Sequence, residues 1–173
     1  NEGDHGFFLH LGRLDNEKGV PEVVAAFEEL DERLVMAGGV GDIGDSVLDQ
    51  IDRTENIEWR GFVDEDKKLD LLAQCTAVLF NGHNEDFGIV PIEANASGKA
   101  VLARNEGFPS VFIEDCVNGY HHDGTPSGIR SIVEKENYVL EETDGAVNQF
   151  SMSSFRDCVR ENIITTYEAF DTM

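Results

Sequence analysis

The chain has 173 residues, 40% of them hydrophobic, and a formal net charge of -22 from 35 acidic against 13 basic side chains. A domain of that length buries roughly 70% of its unfolded surface, and its apolar segments recur from end to end, which excludes disorder in spite of the charge. The acids are dispersed and no basic stripe exists to meet phosphates, which excludes nucleic acid as a partner.

A well-patterned fold in a solvated acidic coat suggests a halophilic protein, in which counterions screen the self-repulsion; an ordinary acidic cytosolic protein is the plainer account. Cys75, Cys116 and Cys158 lie far apart with no C-x-x-C pair, the pattern of reduced core thiols in a cytoplasmic protein. No run approaches ~18 apolar residues and no basic-plus-apolar leader opens the chain, so no transmembrane segment or export signal is expected. The opening Asn-Glu-Gly-Asp-His-Gly, directly ahead of a strand pattern, reads as the cut edge of something longer.

In chain order, Phe7 to Leu11 predicts a strand, followed by a Gly/Arg/Asp loop and a helix from Pro21 to Leu30 with proline in its first turn. Leu34 to Ala37 predicts a second strand ending in Gly38-Gly39, then a helix over Asp45 to Arg53. A third strand is predicted at Ile57 to Arg60, with a helix from Asp64 to Gln74 capped by Asp64, and a fourth strand at Ala77 to Phe80. The loop Gly82 to Gly88 leads to a helix over Val90 to Ser97 with Gly98 at its C-terminal cap. A fifth strand follows at Ala100 to Ala103, a sixth at Gly119 to His121, and two helices close the chain near Ser127 to Glu134 and Ser154 to Phe170. Strands alternating with helices imply crossover units, and so a single α/β domain over residues 1–173 with a doubly wound, Rossmann-like parallel sheet and helices on both faces. Such folds bind ligands beyond the carboxyl ends of their strands.

Two loops stand at those ends. Gly12-Arg13-Leu14-Asp15-Asn16-Glu17-Lys18-Gly19 places two cations between glycines in a chain poor in bases; Arg grips phosphate oxygens bidentately and Lys acts as a point charge. There is no G-x-G-x-x-G, so no nicotinamide or flavin cofactor is expected. On chemistry alone, a surface salt-bridge loop accounts for these residues as well as an anion site does. In the second loop, Asn84-Glu85-Asp86-Phe87-Gly88-Ile89-Val90-Pro91-Ile92-Glu93-Ala94, Gly88 lets a ligand approach the backbone where a helix begins and free N–H groups favour phosphate. Glu85 and Glu93 are acceptor-only carboxylates suited to sugar hydroxyls, although a capping acid and a solvated acid would look the same.

The segment Glu85 to Ala103, EDFGIVPIEANASGKAVLA, resembles the signature of glycosyltransferase family 4, two glutamates separated by seven residues. LGRLDNEKGVPEVVAAF resembles that family's phosphate loop, and NIEWRGFVDEDKKLDLLAQCTAVLFN the stretch between the two motifs. The resemblance covers nearly the whole chain. It implies the donor-binding, C-terminal half of a metal-independent retaining glycosyltransferase (a hexosyltransferase) of the two-domain GT-B type. It also implies a nucleoside diphosphate sugar (UDP-, GDP- or ADP-sugar) as donor substrate, and no cofactor or metal. By the same resemblance Arg13 and Lys18 neutralise the diphosphate, Glu93 holds the ribose hydroxyls, and Glu85 lies against the transferred sugar. Gly88, Ile89 and Val90 meet the phosphates through their backbone, and Phe62 and Val63 fall where the base is contacted. The acceptor domain would be a missing N-terminal partner, through which peripheral membrane association stays open, and this chain alone would be inactive.

Glu106-Gly107-Phe108-Pro109-Ser110 departs from the family's Gly-Gly-x-Pro-Glu turn, and Asn118-Gly119-Tyr120-His121-His122-Asp123 replaces a more apolar strand; both changes bear on sugar identity. Adjacent His121 and His122 should face opposite sides of a strand, which argues against a metal site. His10 and Trp59 read as packed residues, and Asp64-Glu65-Asp66 as a dipole-favoured helix start. The alternatives to transfer are a nucleotide-sugar epimerase on the same fold, which needs no acceptor, and a non-catalytic sensing or interaction module, which would show no donor binding.

Overall fold

The computed structural model describes residues 6–135, 138, 147, 148 and 150–154. The strands are β1 (Phe7–Leu11), β2 (Arg33–Ala37), β3 (Ile57–Trp59), β4 (Ala77–Phe80), β5 (Ala100–Arg104) and β6 (Gly119–His122). Between and after them come α1 (Val20–Phe27), α2 (Gly44–Ile51), α3 (Glu65–Gln74), α4 (Ile89–Ala96), α5 (Pro109–Phe112) and α6 (Pro126–Val133). All pairings are parallel and the order is β3-β2-β1-β4-β5-β6. This is the doubly wound, Rossmann-like sheet expected.

Alternation along the strands builds two cores. Phe8, Leu34, Met36, Ala77, Leu79, Leu102 and Tyr120 pack with Val23, Phe27, Val47, Ile51, Ile129 and Val133, so α1, α2 and α6 cover one face. Phe7, Leu9, Val35, Val78, Phe80 and Val101 pack with Leu71, Leu72, Ala94 and Phe112, so α3, α4 and α5 cover the other. Because both faces are buried, the strands read as continuous apolar runs rather than alternating ones.

The helix ends follow local chemistry. The Asp64 carboxylate accepts the Lys67 N–H at 2.9 Å and starts α3, and the Thr125 hydroxyl accepts the Gly128 N–H at 3.1 Å and starts α6. Gly98, at φ 70°, closes α4 in the left-handed region. The one-turn helix α5 was not expected. The final helix predicted over residues 154–170 lies outside the described residues except for Ser154. Cys75 is a buried thiol, as expected, whereas Cys116 is exposed in a turn at φ 69°; Cys158 lies outside the described residues. Trp59 packs half-buried against the first core. Among the described residues no helix is long and apolar enough to cross a membrane.

The surface carries the acidic excess, with 35 acids against 13 bases in the chain. As the Debye length falls from ~10 Å at 0.1 M to ~3 Å at 1 M, that repulsion is screened. Thermal melts in a chloride series should therefore give a Tm that climbs through molar salt; a flat or falling Tm would remove the halophile argument.

Candidate functional site

The strand order reverses between β1 and β4, which are neighbours while their following strands lie on opposite sides. Loops from adjacent strands diverge there and leave a crevice. The loop after β1 is shaped from within. Leu14 is fully buried and pairs with the loop after β2, its N–H donating to the Gly39 carbonyl at 3.0 Å. Asp15, nearly buried, accepts the Lys18 N–H at 2.9 Å and the Arg13 guanidinium at 3.0 Å. Gly19 holds φ 61° at the start of α1, where any Cβ would collide with Asn81. A side chain there is excluded by both conformation and space.

The loop after β4 is stitched to this one. Asn81, fully buried, donates to the Gly19 carbonyl at 3.0 Å, and the His83 N–H donates to the Glu17 carbonyl at 2.8 Å. Between the loops lies a cavity of about 640 Å³ lined by Glu17, Lys18, His83, Asn84, Glu85, Asp86 and Phe87. Across it Lys18 Nζ and Glu85 Oε1 form an ion pair that is mostly shielded from solvent.

Glu85 is also fixed through its backbone. The Phe108 N–H donates to the Glu85 carbonyl at 2.7 Å, and a Cβ on Gly107 would run into the Glu85 backbone. Beside it, Arg104 Nε donates to Glu106 Oε2 at 2.5 Å. The hydrogen bond from Arg104 outweighs the opposing desolvation and holds the Glu106 carboxyl below its usual range.

Of the residues singled out in the sequence, Lys18 and Glu85 are brought together. Arg13 stands outside the cavity lining, its side chain 61% exposed and leaning on Asp15 and Glu17. Glu93, one turn into α4, accepts Lys68 Nζ from α3 at 2.6 Å; that hydrogen bond raises the Lys68 pKa. Gly88 is the buried N-cap of α4, where a Cβ would come within 2.9 Å of the Phe80 ring. Ile89 is exposed and Val90 packs on the second core. Phe62 is 86% exposed and Val63 packs on the second core, both just after β3 at the same end of the sheet.

Sequence reasoning missed Asp15, Lys68 and Asn81 as site-shaping residues. An aspartate three positions ahead of a lysine in a glycine-bounded loop is a legible turn signal; neither Lys68 nor Asn81 had one. His10, on β1 beneath the first loop, is buried, and among the described residues neither ring nitrogen has a hydrogen-bond partner. Burial, then the nearby Lys18 charge, lowers its pKa to about 4 against the pull of Asp15. His121 meets Asp115 at 3.0 Å while His122 turns inward and is buried.

The chain resembles known glycosyltransferases throughout. It is 27% identical over 158 residues to the human alpha-1,3/1,6-mannosyltransferase, covering 78% of this chain and 37% of that protein. With an uncharacterized glycosyltransferase of Methanocaldococcus jannaschii it shares 32% over 125 residues, 68% of this chain and 32% of the relative. The chain thus spans about a third of the length of these curated relatives. In fold it matches Anabaena HepE, crystallised with UDP, with a TM-score of 0.79 at 22% identity, covering 92% of this chain and 49% of that one. The model of the glycosyl transferases group 1 family matches residues 1–151, which span the six-stranded parallel sheet and its described helices, and the chain belongs to that family.

Proposed function

We propose that this chain is the donor-binding domain of a retaining glycosyltransferase, holding a nucleoside diphosphate sugar in the crevice between the β1 and β4 loops. The observation that carries the reading is the pairing of Lys18 with Glu85 across a cavity at the sheet's reversal point. A cation beside an acceptor-only carboxylate suits a ligand that carries a phosphate next to a sugar hydroxyl. The named activities of the relatives and the UDP and UDP-glucose complexes of HepE support the same donor chemistry.

In this reading the difficult event is departure of the nucleoside diphosphate, as negative charge grows on its phosphates. Lys18, Arg13 and the N–H groups that begin α4 at Gly88 and Ile89 stabilise that charge without a divalent ion. The exposed Arg13 side chain would exchange Asp15 and Glu17 for the anion. Val90 extends the same helix start, Glu93 holds the ribose, and the backbone at Phe62 and Val63 meets the base. Retention follows if the acceptor attacks the face the diphosphate leaves, with the departing phosphate taking the acceptor's proton. The acceptor would be held by a separate domain of the full-length protein.

Replacing Arg13 with Ala should weaken nucleoside diphosphate binding by about 1.5 to 3 kcal/mol, the range for hydrogen bonds to charged groups, or roughly 10- to 150-fold. NMR titration of wild type and Arg13→Ala, both with chelator present, reads this directly. Equal affinities, or binding abolished by the chelator, would sink the proposed site.

A further inference from the structure

We infer that His83 donates its Nδ1 hydrogen to a hydroxyl of the transferred sugar, and that Arg104 acts as the positioning residue that keeps the proton on that nitrogen. The inference rests on the donor-site reading above. His83 is half-buried in the cavity wall, three positions beyond β4, and its backbone bond to Glu17 fixes where the ring starts. Its Nε2 lies 3.4 Å from Arg104 Nη1. A guanidinium keeps its charge and has only donors to offer, so Nε2 is the acceptor and the ring proton sits on Nδ1. Among the described residues nothing accepts from Nδ1.

The partner that fixes this tautomer is itself fixed. Arg104 is gripped by Glu106 at 2.5 Å, and Glu106 Oε1 accepts the Asn84 N–H at 3.2 Å, which returns to the residue beside His83. Two of these groups, Arg104 and Glu106, stand at the end of β5 and in the turn that departs from the family's usual Gly-Gly-x-Pro-Glu. The departure thus supplies the acid that orients the arginine, and through it the histidine.

The chemistry of the wall decides what His83 would meet. Glu17, Glu85 and Asp86 line the cavity with it, and the Lys18 cation there is already engaged by Glu85. In the donor-site reading Lys18 and the start of α4 take the phosphates, which leaves the carboxylates beside His83 to meet the sugar. A sugar hydroxyl suits them, because one O–H group donates to the Glu85 carboxylate and accepts from the histidine N–H at once.

The test is an NMR titration of the whole chain with UDP, GDP and ADP and with UDP-glucose, GDP-mannose and ADP-glucose, comparing wild type, His83→Phe and His83→Asn. For the sugar nucleotide that binds wild type best, His83→Phe should lose about three- to tenfold in affinity, the worth of one neutral hydrogen bond. Its parent diphosphate should change less than twofold, and His83→Asn, which keeps a donor near Nδ1, should recover part of the loss. Long-range 15N spectra should show the Nδ1–H tautomer in wild type and a mixture in Arg104→Met. Equal losses for diphosphate and sugar nucleotide, no loss at all, or an Nε2–H ring in wild type would overturn the inference alone. Failure of wild type to bind any of the six probes would overturn the donor-site reading and this inference with it.

Discussion

Mixed with nucleoside diphosphate sugars and a panel of acceptors, the 173-residue chain is expected to bind donor weakly and to transfer no sugar. The groups proposed to hold the donor, Arg13, Lys18, Glu85, Gly88 and Glu93 among them, lie within it. None of them is assigned to an acceptor, and the chain spans only 37% of the human relative. Holding two reactants in an attack geometry is worth roughly 7 to 11 kcal/mol, a factor of roughly 10⁵ to 10⁸ in rate. In the two-domain reading, that orientation and the exclusion of water need a second wall of the cleft that this chain does not supply. Adding the remaining part of the full-length protein should restore turnover and tighten donor binding together. Efficient transfer by this chain alone would show the two-domain reading to be wrong.

The second large effect is on stability in acid. His10 titrates near its ordinary value of 6.5 when unfolded and at about 4 when folded, because burial disfavours the imidazolium and Lys18 repels it. Between those values the unfolded chain binds a proton that the folded chain refuses, so stability falls as the pH falls. The contribution is intact above pH 6.5 and is lost progressively toward pH 4, about 3 kcal/mol at 1.36 kcal/mol per pKa unit. His122, buried and also lowered to about 4 chiefly by desolvation, adds a loss in the same window. Protonation of the acidic coat relieves repulsion over part of that range, so the measurement is a difference. Urea melts of wild type and His10→Leu at pH 7.5 and pH 4 should show the variant losing about 3 kcal/mol less. Parallel losses in the two proteins would mean that His10 takes up its proton in the folded state.

Much of the fold was legible because its central strands are covered on both faces. Leu34 to Ala37, Ala77 to Phe80 and Ala100 to Ala103 are apolar at every position and were placed within a residue of their observed ends. The helix over residues 109–112 was not legible, since a single turn made of Pro, Ser, Val and Phe carries no period to detect. The loops that build the site were located from their glycines and charges, but their pairings were not. Lys18 meets Glu85 across 67 positions and Lys68 meets Glu93 across 25, distances over which only the sheet order decides who is opposite whom. Asn81 was passed over for the same reason, because its task depends on Gly19 and Gly124 arriving beside it. Cys116 is exposed and itself left-handed in a turn, neither of which composition can foresee.

In the donor-site reading, the Lys18–Glu85 pair gives the anionic subsite a counterion from within the chain. Glu85 serves there as a tethered counterion, so a diphosphate that reaches Lys18 exchanges one anion for another instead of meeting a bare charge. The displaced carboxylate is released beside the incoming ligand, where it is ready to accept a hydroxyl. In a chain carrying 35 acids, such an arrangement would keep a cationic anchor from collecting the wrong partner: the place is held by a neighbour that swings aside when the right anion arrives.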